Sequence, residues 1–404
     1  LFSFFPFTTL FRSMAEATPY HLTDDQRALR SGVAEFVDSK ITPNAAQWDI
    51  DKKLPESILR ECGEMGFAGV MVLEELGGAG MSTMDYALIV EEVSRGCAST
   101  GVAISVNNSL VLDPLCRFGT AEQQRKYVPA LASGESYGCF GLTEPAAGSD
   151  AGRQQTTYED KGDHFLINGR KNFITNGGEA DICIVMASKD PALGNKGLAA
   201  FIVETSWDGF QVEGLEDKMG ICASSTASLS FDNLKVPKEN LLGEEGQGFK
   251  IAMITLDGGR IGVAAQAVGI AQAALDASKL YISERAQFGR TLDKFQGTRW
   301  KIADMAMQIE AARLLVWKAS SLKDFGRPYS LAAAQAKLFA SEVSSKVSRQ
   351  AVQLHGGYGF IREYPAERFM RDARITEIYE GTSEIHRLVI PSKALKDIAA
   401  AFAD

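Results

Sequence analysis

Four short stretches concentrate glycine with hydroxyl and carboxylate side chains: Gly141–Asp150 (GLTEPAAGSD), Phe173–Gly178 (FITNGG), Gln353–Gly359 (QLHGGYG) and Ile378–Glu384 (IYEGTSE). Where glycine removes the Cβ, backbone N–H groups can approach a ligand closely, and the neighbouring Thr and Ser hydroxyls can hydrogen-bond to it. Such stretches suit a polar, planar or phosphorylated ligand. Each can also be read as a plain turn, and spacing does not decide between the two. Other chemistries lack their usual signatures. The sequence has no G-x-x-x-x-G-K-[ST], no G-x-G-x-x-G between a strand and a helix, no H-E-x-x-H and no G-x-S-x-G. His21, His164, His355 and His386 form no catalytic cluster, and Cys62, Cys97, Cys116, Cys139, Cys183 and Cys222 are scattered without a C-x-x-C pair or zinc-ligand spacing. No metal is expected, and the cysteines read as buried free thiols in a reducing compartment.

These stretches must be held by a scaffold that changes period twice. Thr23-Asp24-Asp25-Gln26 has capping-box form, and Leu29, Val33, Phe36, Val37 and Ile41 recur at helical spacing up to Pro43. Ile58, Cys62 and Met65 continue the period, Ser82 can cap a helix running to Gly96, and Thr120–Gln123 offers another capping box. From Tyr137 to Val236 the pattern is one of short β-rich runs, with Asn168-Gly169 predicting a hairpin between His164–Ile167 and Arg170–Thr175. Helical period then returns. Ile261, Ala264, Val268, Ala271 and Leu275 form one stripe; Ile302, Met305, Ile309, Ala312, Val316 and Ala319 form another; an Ala-rich helix runs from about Leu331 to Gly356. The expected domains are a helical unit over 15–135, a β unit over 136–240 and a helical bundle over 241–404. Residues 1–14 are expected to be an extraneous or disordered leader, with Met14 as the natural start and residues 1–13 foreign to the protein. Arg12 follows the apolar run of this leader, which argues against a secretory signal.

With 404 residues the chain has ample material for a core. Its 45% hydrophobic and 23% charged residues match ordinary globular proteins. A net charge of -9 argues against nucleic acid as a partner. No run approaches the ~20 consecutive apolar residues that span a bilayer, so no membrane partner is expected.

Taken together, LTEPAAGSD, FITNGG, LDGGRIGVAAQAVGIAQAAL, ERAQFG, QLHGGYG and MRDARITEIYEGTSEIHR, in this order from Leu142 to Arg387, closely resemble the acyl-CoA dehydrogenase family, and within it the short-chain, butyryl-CoA branch. The resemblance implies an α+β fold: an N-terminal helical domain, a middle antiparallel β-barrel domain and a C-terminal four-helix bundle. It implies FAD as cofactor, an acyl-CoA substrate oxidised to trans-2-enoyl-CoA in fatty acid β-oxidation, electron-transferring flavoprotein as acceptor, and a homotetramer. The setting would be a bacterial cytoplasm, or the mitochondrial matrix in a eukaryote.

Residue by residue, Glu380 matches the family's base, which removes the α-proton while the β-hydrogen leaves as hydride to the flavin. The family stabilises the charge on the thioester oxygen with the flavin ribityl 2′-hydroxyl and the backbone N–H of the base. Thr175 matches the residue at flavin N5. Phe140, Leu142 and Thr143 match the ring-lining positions, and Phe173 stands where the family usually has Trp. Ser149 matches a position close to both flavin and CoA. Arg285, Phe288 and Gln296, then Gln353, Leu354, Gly356 and Gly357, then Thr382, Ser383 and Glu384 match FAD contacts, several of them supplied by a neighbouring subunit. Asp257, Arg260 and Gly381 match substrate-contacting positions, although Asp257 and Arg260 are also readable as a helix-surface ion pair. Gly259 occupies the position at which isovaleryl- and long-chain relatives carry their glutamate, which leaves Glu380 as the candidate. A branched short-chain dehydrogenase, for isobutyryl- or 2-methylbutyryl-CoA, is the alternative activity. A flavoprotein kept as a non-catalytic binding or assembly partner is the alternative class.

Overall fold

The computed structural model describes the backbone of residues 21–401 and the side chains of residues 21–395. The expected leader at 1–14, with Met14, lies outside the described residues. Thr23 caps helix α1 (Asp24–Phe36): its hydroxyl accepts from the Gln26 N–H, and the Gln26 side chain accepts from the Thr23 N–H. The apolar face continues through a π-helical turn, Val37–Ile41, and stops before Pro43, which has no N–H to extend it. Helices α2 (Ala45–Asp51), α3 (Glu56–Glu64), α4 (Thr83–Gly96), α5 (Ala98–Val106), α6 (Asp113–Phe118) and α7 (Ala121–Ser133) follow. Ser82 and Thr120 cap α4 and α7 through reciprocal bonds with Asp85 and Gln123.

Between α5 and α6 the π-helical turn Asn107–Leu112 is wholly buried, and its amides satisfy backbone groups that would otherwise be stranded. Asn108 donates to the Phe67 and Ile104 carbonyls and accepts from the Val70 N–H. Asn107 donates to the Ala68 and Leu131 carbonyls and accepts from the Gly138 N–H. That last bond fixes the start of the strand leading to Phe140 and Leu142.

Strands β1 (Gly138–Gly141), β2 (Thr157–Asp160), β3 (His164–Thr175), β4 (Ile182–Ser188), β5 (Leu198–Glu204), β6 (Phe210–Leu215), β7 (Thr226–Pro237) and β8 (Leu241–Leu242) form one sheet in the order β6-β7-β3-β2-β4-β5-β8, with β1 beside β4. Pairing is antiparallel except at β1/β4 and at the single Thr157–Ser188 bridge from β2 to β4. The expected hairpin at Asn168-Gly169 does not occur. β3 runs unbroken through it, with a register shift against β7. Gly169 sits at φ 148°, and a Cβ there would overlap Thr156, so its freedom serves a bulge and a close approach. The chain reverses instead at Lys161–Asp163, with Gly162 at φ 96°. Along β4, Ile182, Ile184 and Met186 face the helical core, whereas Cys183, Val185 and Ala187 face the core of the strands. Covered on both faces, β4 reads as a continuous apolar run.

Helix α8 (Gly248–Glu284) departs from the stripe expected of it. Ile261, Ala264, Val268, Ala271 and Leu275 are buried, but so are Arg260, Gly262, Val263, Ala265, Gln266, Ala267 and Ile270. The helices α9 (Gln296–Asp324) and α10 (Ser330–His355), together with α4 and α5, pack around it. By length and composition alone α8 could cross a membrane, but 83% of its apolar window is buried inside the fold, where all-round apolarity is needed. Gly269 admits α4 at close range, since a Cβ there would lie 2.2 Å from the Glu91 carbonyl oxygen. A short hairpin, β9 (Ala286–Gln287) with β10 (Arg290–Thr291), joins α8 to α9. Helix α11 (Ala366–Ile375) is tied to both preceding regions. Arg371 pairs with Asp49 of α2 at 2.7 Å, and Asp372 accepts from the Ile221 N–H at 2.5 Å. The segment after α11, leading to α12 (Ser383–Ala401), therefore starts from a fixed point.

Candidate active site

Beyond α11 the backbone takes two consecutive positive φ values, 52° at Glu380 and 99° at Gly381. Glycine adopts this region freely, whereas a glutamate there costs of the order of 1–3 kcal/mol and must be held by its surroundings. The Gly381 carbonyl accepts from the ammonium of Lys337 on α10 at 2.5 Å, and the Ser383 N–H donates to the Glu377 carbonyl at 3.0 Å.

Held this way, Glu380 faces a cavity of about 310 Å³. Val102, Val106 and Leu110 come from α5 and the turn after it, Phe249, Met253, Leu256 and Arg260 from α8, and Phe140, Leu142, Thr143 and Phe173 to Thr175 from the ends of β1 and β3. Glu380 Oε2 is buried with no hydrogen-bond partner. Burial disfavours the ionised form and pushes this carboxyl from its ordinary 4.5 up to about 7; Lys337 and then Arg260 pull the other way without prevailing. His386 lies behind the turn with both ring nitrogens unpartnered, and burial pushes it down to about 3, so it is neutral. Gly259 makes room for the carboxylate: a Cβ there would lie 2.1 Å from Glu380 Oε2 and 2.8 Å from Leu110 Cδ2.

A raised folded-state pKa has a definite sign in stability. Below about pH 4.5 Glu380 is protonated whether folded or not and exacts no penalty. As pH rises through about 7 the penalty of the desolvated carboxylate becomes complete. That penalty is of the order of 3 kcal/mol. Glu380→Gln is therefore expected to melt a few degrees higher than the parent at pH 8, with the gain vanishing near pH 4. Melting curves at the two pH values check this; an equal shift at both would mean that the carboxylate is not desolvated.

Of the residues singled out in the sequence, Phe140, Leu142, Thr143, Ser149, Phe173, Thr175, Arg260 and Gly381 line the same cavity as Glu380. Phe173, 62% exposed, also has a left-handed backbone, φ 60°, so two outliers for non-glycine residues border one cavity. Asp257 does not line it but pairs with Arg260. The ion pair is real, yet it is not on the surface: the Arg260 side chain is only 8% exposed, and its Nε has no partner. Arg285, Leu354, Gly356 and Gly357 border a second cavity of about 410 Å³, beside Tyr281 and Tyr358. Phe288, 94% exposed, and the exposed Gln296, Gln353 and Glu384 border neither. Thr382 caps α12 by accepting from the Ile385 N–H, and the Ser383 hydroxyl is buried without a partner.

The lining of the first cavity has the chemistry a flavin ring would need: Phe140 and Leu142 offer apolar surface, Thr143 and Thr175 bring hydroxyls, and Phe173 stands at the edge.

Two buried lysines escaped the sequence reading. Lys337 lies in the run AAAQAKLFAS, on the same face as the buried Ala333, Ala340, Ser341 and Ser344. A lysine at a buried helical register was the available signal. Lys171, also fully buried, donates to Glu144 at 2.6 Å, to the Gln154 side chain, and to the Leu142 carbonyl at 3.3 Å, bracing the cavity wall at Leu142 from behind. Its signal was a lysine at an inward position of an alternating strand.

Known proteins give a consistent comparison. The chain matches the acyl-CoA dehydrogenase N-terminal domain over residues 23–135, the middle domain over 139–234 and the C-terminal domain over 246–395. It is 50% identical over 377 residues to the short-chain specific acyl-CoA dehydrogenase of Clostridium acetobutylicum, spanning 93% of this chain and 100% of that protein. The butyryl-CoA dehydrogenase structure from Megasphaera elsdenii superposes with a TM-score of 0.91 at 46% identity, over 93% of this chain and 99% of that one. A chain in a structure of the electron transferring flavoprotein of Acidaminococcus fermentans gives 0.91 at 51% identity, with the same coverage.

Proposed function

The chain belongs to the acyl-CoA dehydrogenase family, and on that premise we propose how its cavity residues divide the work. The protein is an FAD-dependent oxidoreductase that converts a short-chain acyl-CoA, butyryl-CoA or one like it, to the trans-2-enoyl-CoA and passes electrons to an electron-transferring flavoprotein. Glu380 is the base that takes the α-proton. The observation carrying this is a carboxylate turned into a cavity with a largely apolar wall, one oxygen unpartnered, with a pKa raised to about 7. The α-proton of a thioester is far less acidic than a carboxylic acid, so an exposed carboxylate would be a poor base for it. A carboxyl poised near neutrality loses less driving force. FAD, when bound, supplies the acceptor for the β-hydrogen. Phe140, Leu142, Thr143, Phe173 and Thr175 would hold its ring, and Ser149 would lie close to both flavin and CoA. Val102, Val106, Leu110, Met253 and Leu256 exclude water from the acyl chain. Arg260, oriented by Asp257, serves the CoA side.

The exposed Arg285, Phe288, Gln296, Gln353, Gly356 and Gly357 lie apart from this cavity. With Leu354 and the Thr382–Glu384 cap, they are proposed to complete FAD sites between subunits of a homotetramer. A bacterial cytoplasm is the proposed setting, as the Clostridium relative suggests.

Anaerobic titration of the purified protein with butyryl-CoA tests the reading. About one equivalent per subunit should bleach the oxidised-flavin absorbance. Bleaching by isobutyryl-CoA but not by butyryl-CoA would move the substrate to the branched class. A protein that takes up no FAD would overturn the reading.

A further inference from the structure

We propose that Lys337 is the positioning residue of the catalytic turn: from the inner face of α10 its ammonium holds the Gly381 carbonyl, and so fixes the left-handed pair Glu380–Gly381 that aims the carboxylate into the cavity. This rests on Glu380 acting as the base.

Lysine is almost never fully buried unless it is paired, because stripping water from an ammonium is costly. Lys337 is 0% exposed, among alanines and serines that need no charge to pack. Among the described residues it has no ion pair within 4.0 Å, and its recorded hydrogen bond is the one to the Gly381 carbonyl at 2.5 Å. An ammonium in such a place is explained by what it holds. The turn it holds needs holding, since Glu380 at φ 52° would relax to ordinary backbone if released, carrying the carboxylate with it.

The same cation acts on the base through space. The charged and titratable groups around Lys337 are Glu380 and Glu377 on the turn, Glu384 and the neutral His386 on α12, and Arg260 on α8. Glu377 already pairs with Arg374 at 2.6 Å, and Glu384 is exposed. Glu380 is therefore the carboxylate with which Lys337 interacts most, and the ammonium favours its ionised form. Burial lowers Lys337 itself to about 8, which leaves it charged at neutral pH. Losing this cation must raise the pKa of Glu380 and move the acid limb of turnover to higher pH.

The test uses FAD-loaded Lys337→Met, which removes donor and charge, and Lys337→Gln, which keeps a donor. Each is compared with the parent and with Glu380→Gln. In Lys337→Met, kcat for butyryl-CoA at pH 7 should fall about tenfold or more with KM little changed. The acid limb should move up by about one pH unit. Lys337→Gln should recover part of kcat, while its acid limb moves up as in Lys337→Met because it too lacks the charge. A readout independent of turnover is the infrared carboxyl band that Glu380→Gln abolishes, whose titration midpoint should rise in both Lys337 variants. Unchanged midpoints and pH profiles in folded, flavin-loaded variants would overturn the proposal. So would failure of both variants to fold, which would assign Lys337 to packing. If Glu380→Gln turns over like the parent, it is the reading of Glu380 that falls; if Glu380→Gln is inert and the Lys337 variants behave like the parent, only the role of Lys337 falls.

Discussion

Glu380→Gln is expected to remain folded and yellow and to bind the acyl-CoA, yet to be bleached by butyryl-CoA at least ~10³-fold more slowly than the parent, within the usual range for a lost general base. The amide is nearly isosteric and carries no charge, so the cavity walls and the turn at Glu380–Gly381 have no reason to move. What disappears is, among the described residues, the only carboxylate lining the cavity besides Asp150, which lies on the exposed Gly148–Asp150 stretch. His386 cannot stand in. It is buried, pushed down to about 3, and separated from the cavity by the turn, since it is not among the lining residues. Stopped-flow reduction of the two proteins under anaerobic conditions measures the ratio directly. Near-parental reduction would remove Glu380 as base.

Gly259→Ala should separate activity from stability. In the middle of a helix, alanine is favoured over glycine by about 1 kcal/mol, so propensity alone would stabilise α8. The added methyl, however, falls 2.1 Å from Glu380 Oε2 and 2.8 Å from Leu110 Cδ2. α8 is packed on nearly every side and cannot retreat, whereas both overlapped atoms end flexible side chains, so it is the carboxylate that yields. A displacement of that size from the attack geometry costs on the order of 10²-fold in rate. We therefore expect kcat on butyryl-CoA to fall about 100-fold while the melting temperature stays within a few degrees of the parent. Gly258→Ala is the control. There a Cβ would meet only the end of Lys323, at 3.4 Å, and turnover should be retained. Equal effects of the two substitutions would deny Gly259 a role in making room for the base.

Local chemistry was legible in the sequence wherever one segment carries its own instructions. The Thr23, Ser82 and Thr120 caps needed only a residue and its third neighbour, and each forms as written. The α9 stripe of Met305, Ile309, Ala312, Val316 and Ala319 is buried as its period requires, with Ile302 at its start half-buried. The glycine- and hydroxyl-rich stretches were visible as a set, and the resemblance they carry pointed to Glu380 and to Phe140, Leu142, Thr143, Ser149, Phe173, Thr175, Arg260 and Gly381 beside it, but not to the wall of Val102, Val106, Leu110, Met253 and Leu256. Asn168-Gly169 failed as a hairpin because tolerance of positive φ is shared by turns and bulges, and only pairing with β7 selects between them.

Tertiary structure alone decided the rest. A helix buried on one face and one buried on all faces differ in what surrounds them, and α8 became the central helix because α4, α5, α9 and α10 all pack against it. The pKa of Glu380 could not be read from its neighbours in sequence, since it depends on walls drawn from α5, α8, β1 and β3 and on a cation 43 residues upstream. Sequence set which residue types were available and which short segments would fold as written. The charge state and aim of the carboxylate come from long-range packing, because desolvation and Coulomb interactions depend on distance in space and not along the chain.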